Sequence, residues 1–248
     1  MKNSRLQKAT ALICSCLLFV GCDIVKDDIV PNELSINVEL ATFAEKPAVI
    51  NLSSVSGGKE LDIKNLGLPK YGDFEILTMP DEDKKFLVYL PRAEFFGQHE
   101  ELQIELEDKA ENRIARLNLN VRSLDNGGDC RDASGIYDYA KILPGESLVL
   151  DLLDNDIFCN VGYNGGFVTV YGIQNSNGSN ISLGPGKIAT LNYTAPEGFT
   201  GKVIVIYDLG INWKANANNV DIEDVRKNPR KYFEAFTTAM VEIDVVND

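Results

Sequence analysis

Asp154-Asn155-Asp156 sets two carboxylates and an amide within three residues, the hard oxygen donors that calcium prefers. The same residues also suit a turn whose side chains bond nearby backbone, so calcium is one expectation and a plain turn the other. Cys130 and Cys159 are candidates for a disulfide. Pro144-Gly145 reads as the tip of a hairpin joining Ile136–Ile142 to Ser147–Leu153, and the two cysteines lie equally far from that tip. A two-residue hairpin would set them opposite one another, and closing that loop would contribute about 3–4 kcal/mol. Two unpaired thiols are the alternative. Trp213, with Tyr232 and Phe233 nearby, could stack on a sugar or anchor a protein partner, or simply pack their segment onto a sheet.

Catalytic chemistry is poorly supplied. His99 is the sole histidine, and no serine near it suggests a Ser-His-Asp arrangement. Among 37 acidic residues nothing singles out a pair, as glycoside hydrolysis would require. One histidine with Cys130 and Cys159 cannot form a Cys/His zinc site. The chain is therefore expected not to be an enzyme.

The chain opens with Lys2, Arg5 and Lys8, then an apolar run from Ala11 to Val20 that is too short to span a bilayer. It closes on Phe19-Val20-Gly21-Cys22. This resembles a bacterial lipoprotein signal, which implies that Cys22 is lipidated and heads the mature chain. The usual leucine three residues before the cysteine is Phe19 here. Residues 22–33 then read as an acidic tether. Within it, Lys26-Asp27-Asp28 resembles the export signal that sends some outer-membrane lipoproteins to the cell exterior.

Loss of residues 1–21 removes three cations and no acid, moving the formal charge from −13 to −16. So acidic a chain does not suit nucleic acid, which needs clustered Lys and Arg. Attachment to outer-membrane lipid would come from acyl chains rather than from charge.

From Leu34 onward the apolar residues alternate. Leu34, Ile36, Val38 and Leu40 do so, as do Leu102, Ile104 and Leu106, and Ala115, Leu117, Leu119 and Val121. Further strands are expected at Leu148–Leu152, Phe167–Tyr171, Val203–Tyr207 and Ala239–Val245. Period-two runs divided by Gly, Pro, Asn and Asp predict an all-β fold of sandwiches. The spacing Tyr89…Phe95…Gly97 recurs as Tyr193…Phe199…Gly201, with Pro91 and Pro196 between. Such a repeat predicts two related modules: 34–122, and 130–248 after a linker at 123–129. Only Lys109 to Arg113 part the last two strands of the first module, whereas Leu209 to Ala235 fill that place in the second. This insertion at 209–235 carries Asp221 to Val225 as a capped helix and Asn228-Pro229 as another helix start. It also gathers Lys214, Arg226, Lys227, Arg230 and Lys231.

Tyr193-Thr194-Ala195-Pro196-Glu197-Gly198-Phe199-Thr200-Gly201, with Leu152-Leu153-Asp154-Asn155-Asp156 upstream, resembles the cadherin-like and immunoglobulin-like repeats of bacterial surface proteins. The resemblance implies two tandem immunoglobulin-like β-sandwich domains and an adhesive or spacer role, and it carries over no catalytic residue. In cadherins a similar Asp-x-Asn-Asp-Asn run binds calcium between domains, but the final asparagine is Ile157 here. The expected function is non-catalytic binding or adhesion at the cell surface, with a protein or glycan partner. The alternative is a glycan-binding accessory of a polysaccharide uptake system.

Overall fold

The computed structural model describes residues 34–80, 84–125, 133–158, 166–175, 180–184, 188–214 and 221–247. Cys22, Lys26, Asp27, Asp28, Cys130 and Cys159 lie outside them. The first half contains β1 (Leu34–Thr42), β2 (Ala48–Asn51), α1 (Leu52–Val55), β3 (Leu61–Asn65), β4 (Gly72–Thr78), β5 (Lys85–Pro91), β6 (His99–Asp108) and β7 (Arg113–Ser123). The second contains β8 (Ala133–Ser134), β9 (Asp138–Ile142), β10 (Ser147–Asp151), β11 (Ile157–Phe158), β12 (Gly166–Gln174), β13 (Asn180–Gly184), β14 (Ile188–Thr194), β15 (Gly201–Trp213), α2 (Ile222–Lys227), α3 (Pro229–Tyr232) and β16 (Phe233–Val245).

The fold is all-β, built as two immunoglobulin-like sandwiches of one topology. Sheet order β1-β7-β6-β3 over β2-β5-β4 in the first half recurs as β9-β16-β15-β12 over β10-β14-β13 in the second. In both, the first strand of the longer sheet pairs parallel with the last strand of that half: β1 with β7, and β9 with β16. The repeated aromatics belong to this scheme. Tyr89 and Phe95 meet edge to face, centroids 5.7 Å apart, while Tyr193 and Phe199 join the second core.

This topology corrects the expected hairpin at Pro144-Gly145. Strands β9 and β10 belong to opposite sheets, β9 beside β16 and β10 beside β14. The turn therefore carries the chain from one sheet to the other, as 43–47 does between β1 and β2, and the hairpin register for the cysteines does not exist. A short antiparallel ladder nevertheless sets Phe158 opposite Ala133 and Ile157 opposite Ser134. It ends one residue before Cys159 and three after Cys130.

The two sandwiches also pack on one another. Val49, Phe86 and Val88 from β2 and β5 form one buried cluster with Tyr171, Ile173, Ile204, Ile206 and Met240 from β12, β15 and β16. Strand β15 is accordingly buried on both faces: Val203, Val205, Tyr207, Leu209 and Ile211 enter the second core, while Ile204 and Ile206 enter the seam. Burying side chains of this size stabilises by roughly 1.5–3 kcal/mol each, so the seam is a substantial apolar interface. Within the segment expected as linker, Leu124 is buried with Ile136.

Candidate binding site at the seam

The seam acquires polar groups where α1 leaves β2. Asn51 caps α1, its Oδ1 accepting from Ser54 N, and the helix ends in Gly57-Gly58, with φ of 72° and 80°. Both lie in the left-handed region that glycine tolerates. A Cβ at 58 would stand 2.9 Å from Lys227 Cβ and one at 57 would stand 3.2 Å from Asn228 Oδ1. Glycine is thus what lets α2, from the other half, close on this turn.

Beneath this contact lies Asp208, on the seam face of β15. Its carboxylate accepts from Asn51 Nδ2 at 2.7 Å, Thr238 Oγ1 at 2.7 Å, Tyr171 Oη at 3.0 Å and Ser54 Oγ at 3.3 Å. Burial raises its pKa, and these four donors act against that rise. Burial and the neighbouring Asp208 also push the Tyr171 hydroxyl well above its ordinary range, so it remains a donor at any physiological pH.

Above the network opens a cavity of about 250 Å³ between the halves. Five cations line it: Lys59, Lys84 and Lys85 from the first half, Arg226 and Lys227 from the second, with Tyr171 among the neutral residues. Glu60 and Glu223 are its acids. The cations are held in place. Lys59 pairs with Glu111 at 2.7 Å and Asp108 at 3.4 Å, Lys85 pairs with Asp62, Arg226 with Glu223 at 2.7 Å, and Lys84 lies over the Tyr171 ring at 5.2 Å.

The long strands β15 and β16 run into the expected insertion from both sides, reaching Trp213 and resuming at Phe233. Between them Asp221 caps α2, accepting from Glu223 N at 3.0 Å. Glu223 and Asp224 occupy the first turn and Arg226 and Lys227 the last, an order that complements the helix dipole. Asp224 ties α2 to α3 by accepting from Asn228 Nδ2, Lys231 Nζ and the Tyr232 hydroxyl. Those hydrogen bonds, Lys231 foremost, hold its pKa well below the carboxylate range. Phe233 is buried over Gly210, where a Cβ would stand 2.4 Å from the ring. Trp213 lies against Phe233, centroids 4.4 Å apart, and is 41% exposed. Of the three aromatics singled out in the sequence, Trp213 is thus the one that presents a broad open surface, and none of the three lines the seam cavity.

The Asp154-Asn155-Asp156 turn spends its polar atoms within the chain. Asn155 Nδ2 donates to Tyr137 O at 3.2 Å and Asp138 Oδ1 at 2.9 Å. Asp156 Oδ1 accepts from Ile136 N at 2.7 Å, and Tyr207 Oη lies 3.3 Å from Oδ2. Asp154 is exposed. Among the described residues no group of three or more His, Cys, Asp or Glu side chains is placed to hold a metal ion. The turn instead meets a carboxylate that sequence reading missed: Asp138, buried, with Oδ2 unpartnered among the described residues. Burial and then the adjacent Asp156 push Asp138 up to about 8, and burial pushes Asp156 up to about 7. His99 lies on the exposed face of β6, its Nε2 2.7 Å from Asn120 Oδ1.

No sequence-family model matches this chain, and no curated protein matches it by sequence. Among solved structures it is similar to an endo-fucoidan hydrolase of glycoside hydrolase family 107 at 12% identity and a TM-score of 0.30, covering 86% of this chain and 28% of that one. It is similar to mouse clustered PcdhgC3 EC1-3 at 16% identity and 0.27, covering 87% and 66%. It is also similar to the D00-D0 domain of intimin at 11% and 0.27, covering 88% and 98%. This chain thus spans little more than a quarter of the hydrolase. The fold assignment rests on the sheets described above.

Proposed function

We propose that this protein is a lipid-anchored, non-catalytic surface protein that binds or adheres through its second sandwich. The observation that carries this reading is the segment between β15 and β16. It sets a half-exposed Trp213 and a run of exposed cations on a double sandwich that is otherwise acidic. Long segments on a rigid β scaffold are where binding function concentrates. The Phe19-Val20-Gly21-Cys22 run supports acylation at Cys22, and Lys26-Asp27-Asp28 supports display on the outer face of the outer membrane.

Protease treatment of intact cells expressing the full chain, with a periplasmic lipoprotein as control, tests the reading. Cleavage near α2 and α3 without lysis is expected, and Cys22→Ala should release the protein from the membrane fraction. Protection until lysis would overturn surface display. Retention of the Cys22→Ala variant in membranes would overturn the anchor. The exposed indole also favours a second reading, a glycan-binding accessory of polysaccharide uptake, which Trp213→Ala distinguishes by loss of soluble oligosaccharide binding.

A further inference from the structure

We infer that the cavity at the seam is a binding site for a small organic oxyanion, the carboxylate or sulfate ester of a molecule about the size of one sugar. The charge argument comes first. The lining sets Lys59, Lys84, Lys85, Arg226 and Lys227 against Glu60 and Glu223. The carboxylates of Asp62, Asp108 and Glu111 that pair with Lys85 and Lys59 stand behind the wall, so the face turned to the cavity is rich in cations in a chain of formal charge −13. Concave low-dielectric walls focus such a field.

The site is also composite. Neither sandwich alone supplies all five cations, and Gly57-Gly58 brings Lys227 against the first half. Ligand sites favour such junctions, and at about 250 Å³ this one lies just below the ~300–1,000 Å³ of drug-sized sites, as suits a smaller ligand. A further point is readiness. Lys59 and Arg226 remain 33% and 44% exposed while paired, so an oxyanion can join them without stripping away their partners. The buried network of Asn51, Tyr171 and Asp208 fixes the floor, leaving little to reorganise when the ligand enters. A neutral sugar gains nothing from the cations. The inference deepens the proposed binding role by adding a ligand class, and it does not depend on the anchor or on Trp213.

Calorimetric titration of the purified full-length chain with glucuronate, glucose 6-sulfate and glucose tests it. Both acidic sugars should bind with dissociation constants on the order of 1 mM, weakening as salt rises, while glucose should not bind. The stronger of the two acids identifies which oxyanion the site prefers. Arg226→Gln/Lys227→Gln, on exposed positions of α2, should weaken binding about tenfold or more, as should Lys84→Gln from the opposite half. Trp213→Ala should leave it unchanged. Equal binding of glucose, no binding of either acid, or full affinity in both cation variants would each overturn the site. Loss in Trp213→Ala alone would move the ligand to the rim, overturning the seam site while sparing the proposed binding role.

Discussion

Asp208 on β15 and Asp138 on β9 are two buried aspartates of one four-stranded sheet, and their surroundings are opposite in kind. Asp208 receives four donors from four separate elements, two in each half of the molecule. Asp138 accepts from Asn155, with the Tyr207 hydroxyl also acting to lower its pKa, leaves Oδ2 unpartnered among the described residues, and stands beside a second carboxylate, Asp156. A buried anion is tolerable only when hydrogen bonds replace its lost water. Asp208 has its lost water replaced by four donors, although burial still raises its pKa, and so works as a polar clasp across an apolar seam. Asp138 and Asp156 meet that condition best with a proton on board, which makes that end of the second sandwich sensitive to pH.

The largest effect should come from breaking the clasp. Asp208→Ala strands the Asn51 amide and the hydroxyls of Ser54, Tyr171 and Thr238 in a dry interface, for a loss of about 3–5 kcal/mol. Urea titration of the two proteins measures it, and a loss below about 1 kcal/mol would mean the donors find water. Next comes the expected Cys130–Cys159 disulfide, whose cysteines flank the β8 and β11 strands in sequence. Replacing both cysteines by serine should cost about 3 kcal/mol, and thiol labelling of the denatured, unreduced wild type should find neither cysteine free. Two labelled thiols there would remove the staple.

The pH response of the other site follows from its sign. Asp138 and Asp156 have folded-state values of about 8 and about 7, above the ordinary value of ~3.9. The folded chain therefore holds more protons than the unfolded chain in the interval between. Their stabilisation is fully present below the unfolded value and is lost as pH rises through 7 and 8. We expect the wild type to lose several kcal/mol between about pH 5 and pH 9, and Asp138→Asn to flatten much of that slope. Asp208 is shifted in the same direction, so the difference between wild type and variant, rather than the raw slope, isolates the pair. Parallel profiles would show that Asp138 is already served by groups beyond Asn155 and Tyr207.

The strands were legible because burial on one face writes a period of two, and Leu34 to Leu40 or Ala115 to Val121 show it plainly. The seam had a signal too, of a different kind. Val203-Ile204-Val205-Ile206-Tyr207 and Phe86-Leu87-Val88-Tyr89 are unbroken apolar runs, as expected of strands covered on both faces, and both halves of the seam come from them. Strand β9, the turn and β10 misled because a hairpin and a crossing between sheets share the same local pattern. Only the parallel pairing of β9 with β16 tells them apart. In the candidate site, the basic residues of α2 were visible as a cluster, yet nothing near Lys59 or Lys84 marks them as their neighbours. Asp208 was least legible, since its donors at 51, 54, 171 and 238 lie far along the chain.

Trp213→Ala should have the smallest effect on stability and serves as the counterpart to Asp208→Ala, since both residues belong to β15. Trp213 stands at the strand's exposed end, against Phe233 and 41% exposed. Phe233 keeps its place over Gly210 without it, because the ring is buried against that glycine and the Lys214 N–H donates to Tyr232 O beside it. Truncating a half-exposed aromatic forfeits one tilted ring contact and part of its buried area, about 1 kcal/mol. Urea titration should therefore find the variant close to wild type, while binding to a surface partner falls markedly. A loss as large as that of Asp208→Ala would reassign the indole from ligand contact to support of the α2–α3 segment.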